Sequence, residues 1–154
     1  MTEIERRFLV DVVPEPLPRA TRLVQGYLMT GPPSVRVRSA DGIHTLTIKT
    51  GRGISRTEIE HPLDVVEFDA LFADTVGRVE KRRHRIELDD GRIAELDLFD
   101  GALAGRRLVE VEFDDLATAE AFVPPAWFGD EVTDDPRYTN ASLAVDGWPD
   151  GPRR

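Results

Sequence analysis

The chain opens Thr2-Glu3-Ile4-Glu5-Arg6-Arg7-Phe8-Leu9-Val10, and the alternation inside this stretch decides how the rest is read. Successive side chains of a β-strand point to opposite faces. Read as a strand, it puts Glu3, Glu5 and Arg7 on one face and Ile4, Arg6 and Phe8 on the other. The same spacing recurs down the chain. Arg36 and Arg38, Glu58 and Glu60, Lys81, Arg83 and Arg85, Glu95 and Asp97, and Glu110 and Glu112 all stand two residues apart. The opposite face is mostly apolar, with Val35, Val37, Leu46, Ile48, Leu96, Leu98, Val109 and Val111 on it. Two arrangements satisfy this pattern. Either charges in water cover an apolar core, or charges line a tunnel and the apolar face packs under helices. Acidic and basic pairs fall on separate strands, which tilts the reading toward the tunnel.

Eight strands are expected, over Thr2–Val10, Arg22–Thr30, Ser34–Ala40, Ile43–Thr50, Ile54–His61, Arg78–Leu88, Arg92–Phe99 and Arg107–Asp114. Asp41-Gly42 and Asp90-Gly91 are hairpin signals, so neighbouring strands run antiparallel. Helices are expected over Asp64–Thr75, with Asp64 as N-cap, over Asp115–Val123, and from Arg137 to about Val145, the last over one tunnel mouth. The class is α+β, mainly β: an antiparallel closed barrel or strongly curved sheet with helices packed outside. With 154 residues and no repeat or linker, residues 1–148 read as one domain and 149–154 as a loose tail.

Composition narrows the function. The absence of cysteine excludes a disulfide framework, a thiolate metal site and a cysteine nucleophile. A net charge of −9 argues against nucleic acid or an anionic membrane as partner, though not against a small polyanion. No apolar run approaches the roughly 20 residues of a membrane span, and no signal peptide is visible, so a cytoplasmic protein is expected.

The ordered motifs carry a resemblance. Glu3-Ile4-Glu5-Arg6-Arg7 is similar to the E-x-E-x-K signature of the CYTH superfamily, the triphosphate tunnel metalloenzymes, with Arg7 at the lysine position. Gln25-Gly26-Tyr27-Leu28, Val35-Arg36-Val37-Arg38, Leu46-Thr47-Ile48-Lys49, Arg56-Thr57-Glu58-Ile59-Glu60, Glu80-Lys81-Arg82-Arg83, Glu95-Leu96-Asp97-Leu98-Phe99 and Leu108-Val109-Glu110-Val111-Glu112 follow in family order. So do Trp127-Phe128-Gly129-Asp130-Glu131-Val132-Thr133 and Arg137-Tyr138-Thr139-Asn140. The pattern looks most like the short bacterial branch that hydrolyses inorganic triphosphate. The resemblance implies an eight-stranded tunnel, a triphosphate-bearing substrate and a divalent metal, Mg²⁺ or Mn²⁺.

On that resemblance Arg36, Arg38, Lys49, Arg56, Lys81 and Arg83 are expected to bind the triphosphate, Arg by its planar fork and Lys as a point charge. Carboxylates repel phosphate, so they are expected to hold hard cations. Glu3, Glu5, Glu110 and Glu112 lead that set, joined by Glu58, Glu60 and Asp97. Glu60 is also expected to place the attacking water. Lys49 and Tyr27 are expected to handle protons, and Arg7 to act in place of the family lysine. The expected reaction is in-line attack of water on a terminal phosphorus. Hydrolysis or cyclisation of an organic triphosphate, such as thiamine triphosphate or ATP, is the alternative enzyme. A non-catalytic polyphosphate or nucleotide sensor is the alternative of another class. The assembly is expected to be a monomer or a homodimer.

Overall fold

The computed structural model describes residues 2–52 and 54–150. Eight strands form: β1 (Thr2–Leu9), β2 (Ala20–Met29), β3 (Ser34–Ala40), β4 (Ile43–Arg52), β5 (Ser55–Leu63), β6 (Gly77–Glu87), β7 (Ile93–Asp100) and β8 (Arg107–Phe113). They close into an antiparallel barrel in the order β1-β5-β4-β3-β2-β6-β7-β8. At the β3–β4 turn Asp41 (φ 49°) and Gly42 (φ 87°) both take positive φ, as a two-residue hairpin with primed-turn twist requires. The expected loose tail falls mostly outside the described residues, which end at Asp150.

Most of the apolar core lies outside the barrel wall, because the charged face turns inward. Phe8, Leu96, Val109 and Val111 on the outer faces of β1, β7 and β8 are buried with Phe122 and Phe128. Helix α2 (Leu116–Ala121) and the segment after it lie over them, and the Phe8 and Phe128 rings meet at 5.0 Å. Helix α1 (Val65–Ala73) packs on β2, β3 and β4. Asp64 caps it through a reciprocal capping box with Glu67, and buried Phe68 stacks on His44 at 4.6 Å.

The inward positions are not charged along their whole length. Val79, Phe99 and Leu108 share the faces of Lys81, Asp97 and Glu110, yet pack against Val132, Tyr138 and Leu143. The C-terminal segment therefore stoppers one side of the tunnel end with apolar side chains.

The single helix expected from Arg137 to about Val145 is a 3-10 turn, Pro136–Tyr138, followed by α3 (Asn140–Asp146). Thr139 breaks it at φ −66°, ψ 148°, and its hydroxyl caps α3 by accepting from the Ser142 N–H at 3.1 Å. No helix among the described residues is long and apolar enough to cross a membrane.

Candidate active site

Cations project into the tunnel from β3, β4, β5 and β6. Arg36 is 7% exposed, and its Nη2 donates to Thr47 Oγ1 at 3.3 Å. Arg38 Nε donates to Gln25 Oε1 at 2.8 Å, and Gln25 in turn donates to the Tyr27 hydroxyl at 3.1 Å. The hydrogen-bond partners of Arg36 and Arg38 are thus neutral groups. The Nε atoms of Arg36 and Arg56 are buried without a hydrogen-bond partner. Burial, then the neighbouring charges of Arg36 and Arg83, push Arg38 below the usual guanidinium range. Buried cations without counter-ions are costly, so this wall suits a polyanion.

Asp97 is fully occupied by two other cations. Lys81 Nζ donates to its Oδ2 at 2.7 Å, and Arg83 clasps both oxygens at 2.8 and 2.9 Å. Burial opposes its charge, but Arg83 and Lys81 outweigh that and hold the carboxyl below its usual range. The structure therefore places Asp97 between cations, where it fixes the positions of Lys81 and Arg83. Lys81 is completely buried. Burial pushes it down to about 7, against the pull of Asp97 and with help from Arg83 and Arg38.

The carboxylates gather on the β1–β8 side. Oxygens of Glu3, Glu5 and Glu112 all lie within 4.8 Å of one another. Burial, then Glu110, pushes Glu5 up to about 8. Burial, then Glu3 and Glu95, pushes Glu112 up. Two of these three carboxyls are pushed toward the neutral form, and three oxygen donors this close together are of the kind that could hold a hard divalent cation. Burial opposes the charge on Glu3, but Lys49, whose Nζ donates to it at 3.1 Å, together with a hydrogen bond to Glu5, holds it low. Burial and then Arg36 push Lys49 down.

Glu110 lies outside that trio. It stands opposite Arg7 in the β1–β8 register, and Arg7 Nε donates to it at 3.2 Å. Burial opposes its charge, but Arg7 and Arg83 hold it well below the usual range. Arg7 also donates to Glu5 at 3.0 Å, and Arg56 reaches the same oxygen at 2.7 Å. Glu58 pairs with Lys49 across β4–β5 and is half-buried; Glu60 pairs with Thr47 and is exposed. Neither joins the trio among the described residues. Arg6 points outward, as alternation requires, onto Glu131 and the Ala119 and Phe122 carbonyls.

A narrow hollow lined by Arg7, Tyr27, Arg36, Thr47, Lys49 and Asn140 continues past Lys49 and Arg56 into a cavity of about 330 Å³ at the stoppered end. A cavity of about 180 Å³ opens at the opposite end between Arg85, Arg92, Glu95 and Glu112. Sequence reasoning missed Gln25, Thr47 and Asn140 as part of the site. Thr47 was within reach, because it alternates with Lys49. Another signal is the lysine count: Lys49 and Lys81 are the two lysines of the chain, and both lie in the tunnel.

A closed eight-stranded barrel with cations on one wall and a carboxylate trio on another defines a tunnel of the CYTH domain family. The chain belongs to that family, whose sequence model matches residues 1–132. Among characterised relatives it is similar to the inorganic triphosphatase of Nitrosomonas europaea, with 47% identity over 148 residues, 94% of this chain and 98% of that protein. It is also similar to the inorganic triphosphatase of Acetivibrio thermocellus, with 35% identity over 146 residues, 92% of each chain. The crystal structure of the inorganic triphosphatase NE1496 superposes with a TM-score of 0.72 at 43% identity, covering 95% of this chain and 96% of that one.

Proposed function

We propose that the protein hydrolyses inorganic triphosphate (tripolyphosphate) to diphosphate and phosphate inside the tunnel, with Mg²⁺ or Mn²⁺. The observation that carries this reading is the pair Arg36, buried, and Arg38, part-buried, both with neutral partners, facing a tunnel whose other wall holds Glu3, Glu5 and Glu112. The names of the two bacterial relatives support it. Among its described lining residues, the cavity beside Lys49 and Arg56 has no aromatic ring for a base to stack on, which favours the inorganic substrate.

Arg36, Arg38, Lys49, Arg56, Lys81 and Arg83 bind the phosphate oxygens, and Asp97 keeps Lys81 and Arg83 aimed. Glu3, Glu5 and Glu112 are the residues that hold the divalent cation, which supplies charge neutralisation and water activation. Arg7 pairs with Glu110 and with Glu5, so it balances charge on the acidic side of the tunnel. In the reaction a water oxygen bonds to the terminal phosphorus, the P–O bond to the diphosphate breaks, and the water gives up a proton. Lys49, held on Glu3, and Tyr27, held by Gln25, are the groups placed to manage that proton. Phosphate release from tripolyphosphate, ATP and thiamine triphosphate, each with Mg²⁺, Mn²⁺ or EDTA, tests the reading. Metal-dependent release from tripolyphosphate is the expected result, and turnover of an organic triphosphate in preference to it overturns the substrate assignment.

A further inference from the structure

Asn140, the first residue of α3, reaches a tunnel cation from the C-terminal segment through its side chain. Its Oδ1 accepts from Lys81 Nζ at 2.9 Å, across 59 positions of sequence. Lys81 is wholly enclosed, with Asp97 as its other partner at 2.7 Å and the Phe99 ring 5.6 Å from Nζ. An ammonium carries three N–H bonds. Asp97 and Asn140 take two, so the ammonium has one N–H beyond these two bonds. Lysine only donates, so the contact also fixes the orientation of the Asn140 amide. With its oxygen on Lys81, the amide N–H₂ is the polar end available to the hollow that Asn140 lines beside Arg7, Arg36 and Lys49.

The segment holding Asn140 is rigid for reasons independent of this bond. Thr139 caps α3, and Asp135 accepts from the Arg137 backbone and side chain. Leu143 and Tyr138 are buried against Val79 and Phe99. The segment therefore presents the amide at a set height over the tunnel.

We propose that Asn140 is a positioning residue for tripolyphosphate: it holds Lys81 in the geometry that offers a single N–H to a phosphate oxygen, and offers its own amide N–H₂ to the same polyanion. The inference rests on the triphosphatase reading and extends it to a residue outside the charged set. Docking of the C-terminal segment and presentation of Lys81 are then one event.

The test uses the full chain in wild-type form and as Asn140→Ala, Asn140→Asp and Leu143→Ala, all assayed well below their melting temperatures. Asn140→Ala lowers kcat/KM by about tenfold or more, the size expected on losing a hydrogen bond to a charged group. Its melting temperature stays near wild type. Leu143→Ala loosens α3, lowers the melting temperature and, because the Asn140 amide is still present, costs only part of the kcat/KM lost in Asn140→Ala. Asn140→Asp keeps an oxygen on Lys81 but turns an N–H donor into an anion, so KM for tripolyphosphate rises while the fold holds. With [¹⁵N]lysine the chain gives two Nζ signals, from Lys49 and Lys81. Tripolyphosphate in EDTA shifts both in the wild type, and in Asn140→Ala the Lys81 response shrinks while that of Lys49 remains. Wild-type kinetics in Asn140→Ala overturn the inference, as does wild-type KM in Asn140→Asp. So does a kcat/KM loss in Leu143→Ala equal to that of Asn140→Ala. A wild-type protein that neither binds nor hydrolyses tripolyphosphate overturns the triphosphatase reading itself, and this inference with it.

Discussion

Arg7 and Glu110 stand opposite each other in the β1–β8 register and are joined at 3.2 Å in a setting where both are almost fully buried. Arg7 simultaneously engages Glu5 at 3.0 Å. The guanidinium thus bridges Glu110 to Glu5, one member of the trio of Glu3, Glu5 and Glu112. Removing one partner of a buried ion pair leaves an uncompensated charge. Arg7→Ala is expected to lose about 3–5 kcal/mol in urea denaturation. Arg7→Lys keeps the charge but not the fork, so it loses less. Equal losses in the two variants would show that packing, not charge, holds this position.

The carboxylate trio predicts where a cation binds. Glu3→Gln and Glu112→Gln are each expected to weaken Mn²⁺ binding about tenfold or more, read by calorimetry without substrate. Glu60→Gln, exposed on β5 and outside the trio, leaves Mn²⁺ affinity as it was. A large effect at Glu60 with none at Glu112 would move the cation to the β5 side.

Lys81 gives the binding a pH dependence of fixed sign. Burial sets its free-state value at about 7. A bound polyanion favours the ammonium, so it raises that value. Affinity for tripolyphosphate in EDTA is then full below about pH 7 and falls as pH rises through the interval up to the bound-state value. Binding is accompanied by proton uptake. The substrate's own ionisation is common to wild type and Lys81→Gln, so the difference between their pH profiles isolates Lys81. Parallel profiles would mean that Lys81 does not titrate on binding.

Gly77 sets how closely α3 approaches the barrel. A Cβ there would lie 2.6 Å from the Ala144 carbonyl oxygen, a backbone atom that cannot step aside alone. Gly77→Ala is therefore expected to push α3 off β6, costing about 1–3 kcal/mol, and to raise KM because Asn140 moves with the helix. A thermal melt and a KM measurement check both halves.

Much of this was legible from alternation. The β1 stretch from Glu3 to Arg7 assigned its inward and outward faces correctly, and Arg6 does lie outside on Glu131. Asp64 announced its cap. What stayed hidden depended on register or on uncharged residues. That the first and last strands meet was expected from barrel closure, but the pairing of Glu110 with Arg7 depends on their register, which local pattern does not set. Asn140 and Gln25 act through amides, and amides carry no charge signal. Val79, Phe99 and Leu108 occupy inward positions that the charged pattern would have filled with polar groups, because the C-terminal segment packs on them there. Thr139 looked like helix interior until its cap geometry showed where α3 starts.

The most direct test of the account is phosphate release from tripolyphosphate by the purified protein with Mg²⁺, with Mn²⁺ and with EDTA. Rapid release with either metal, abolished by EDTA and reduced in Arg36→Ala and Arg38→Ala, is the predicted result. Tight tripolyphosphate binding with no release under any of these conditions would contradict it and make the tunnel a polyphosphate sensor.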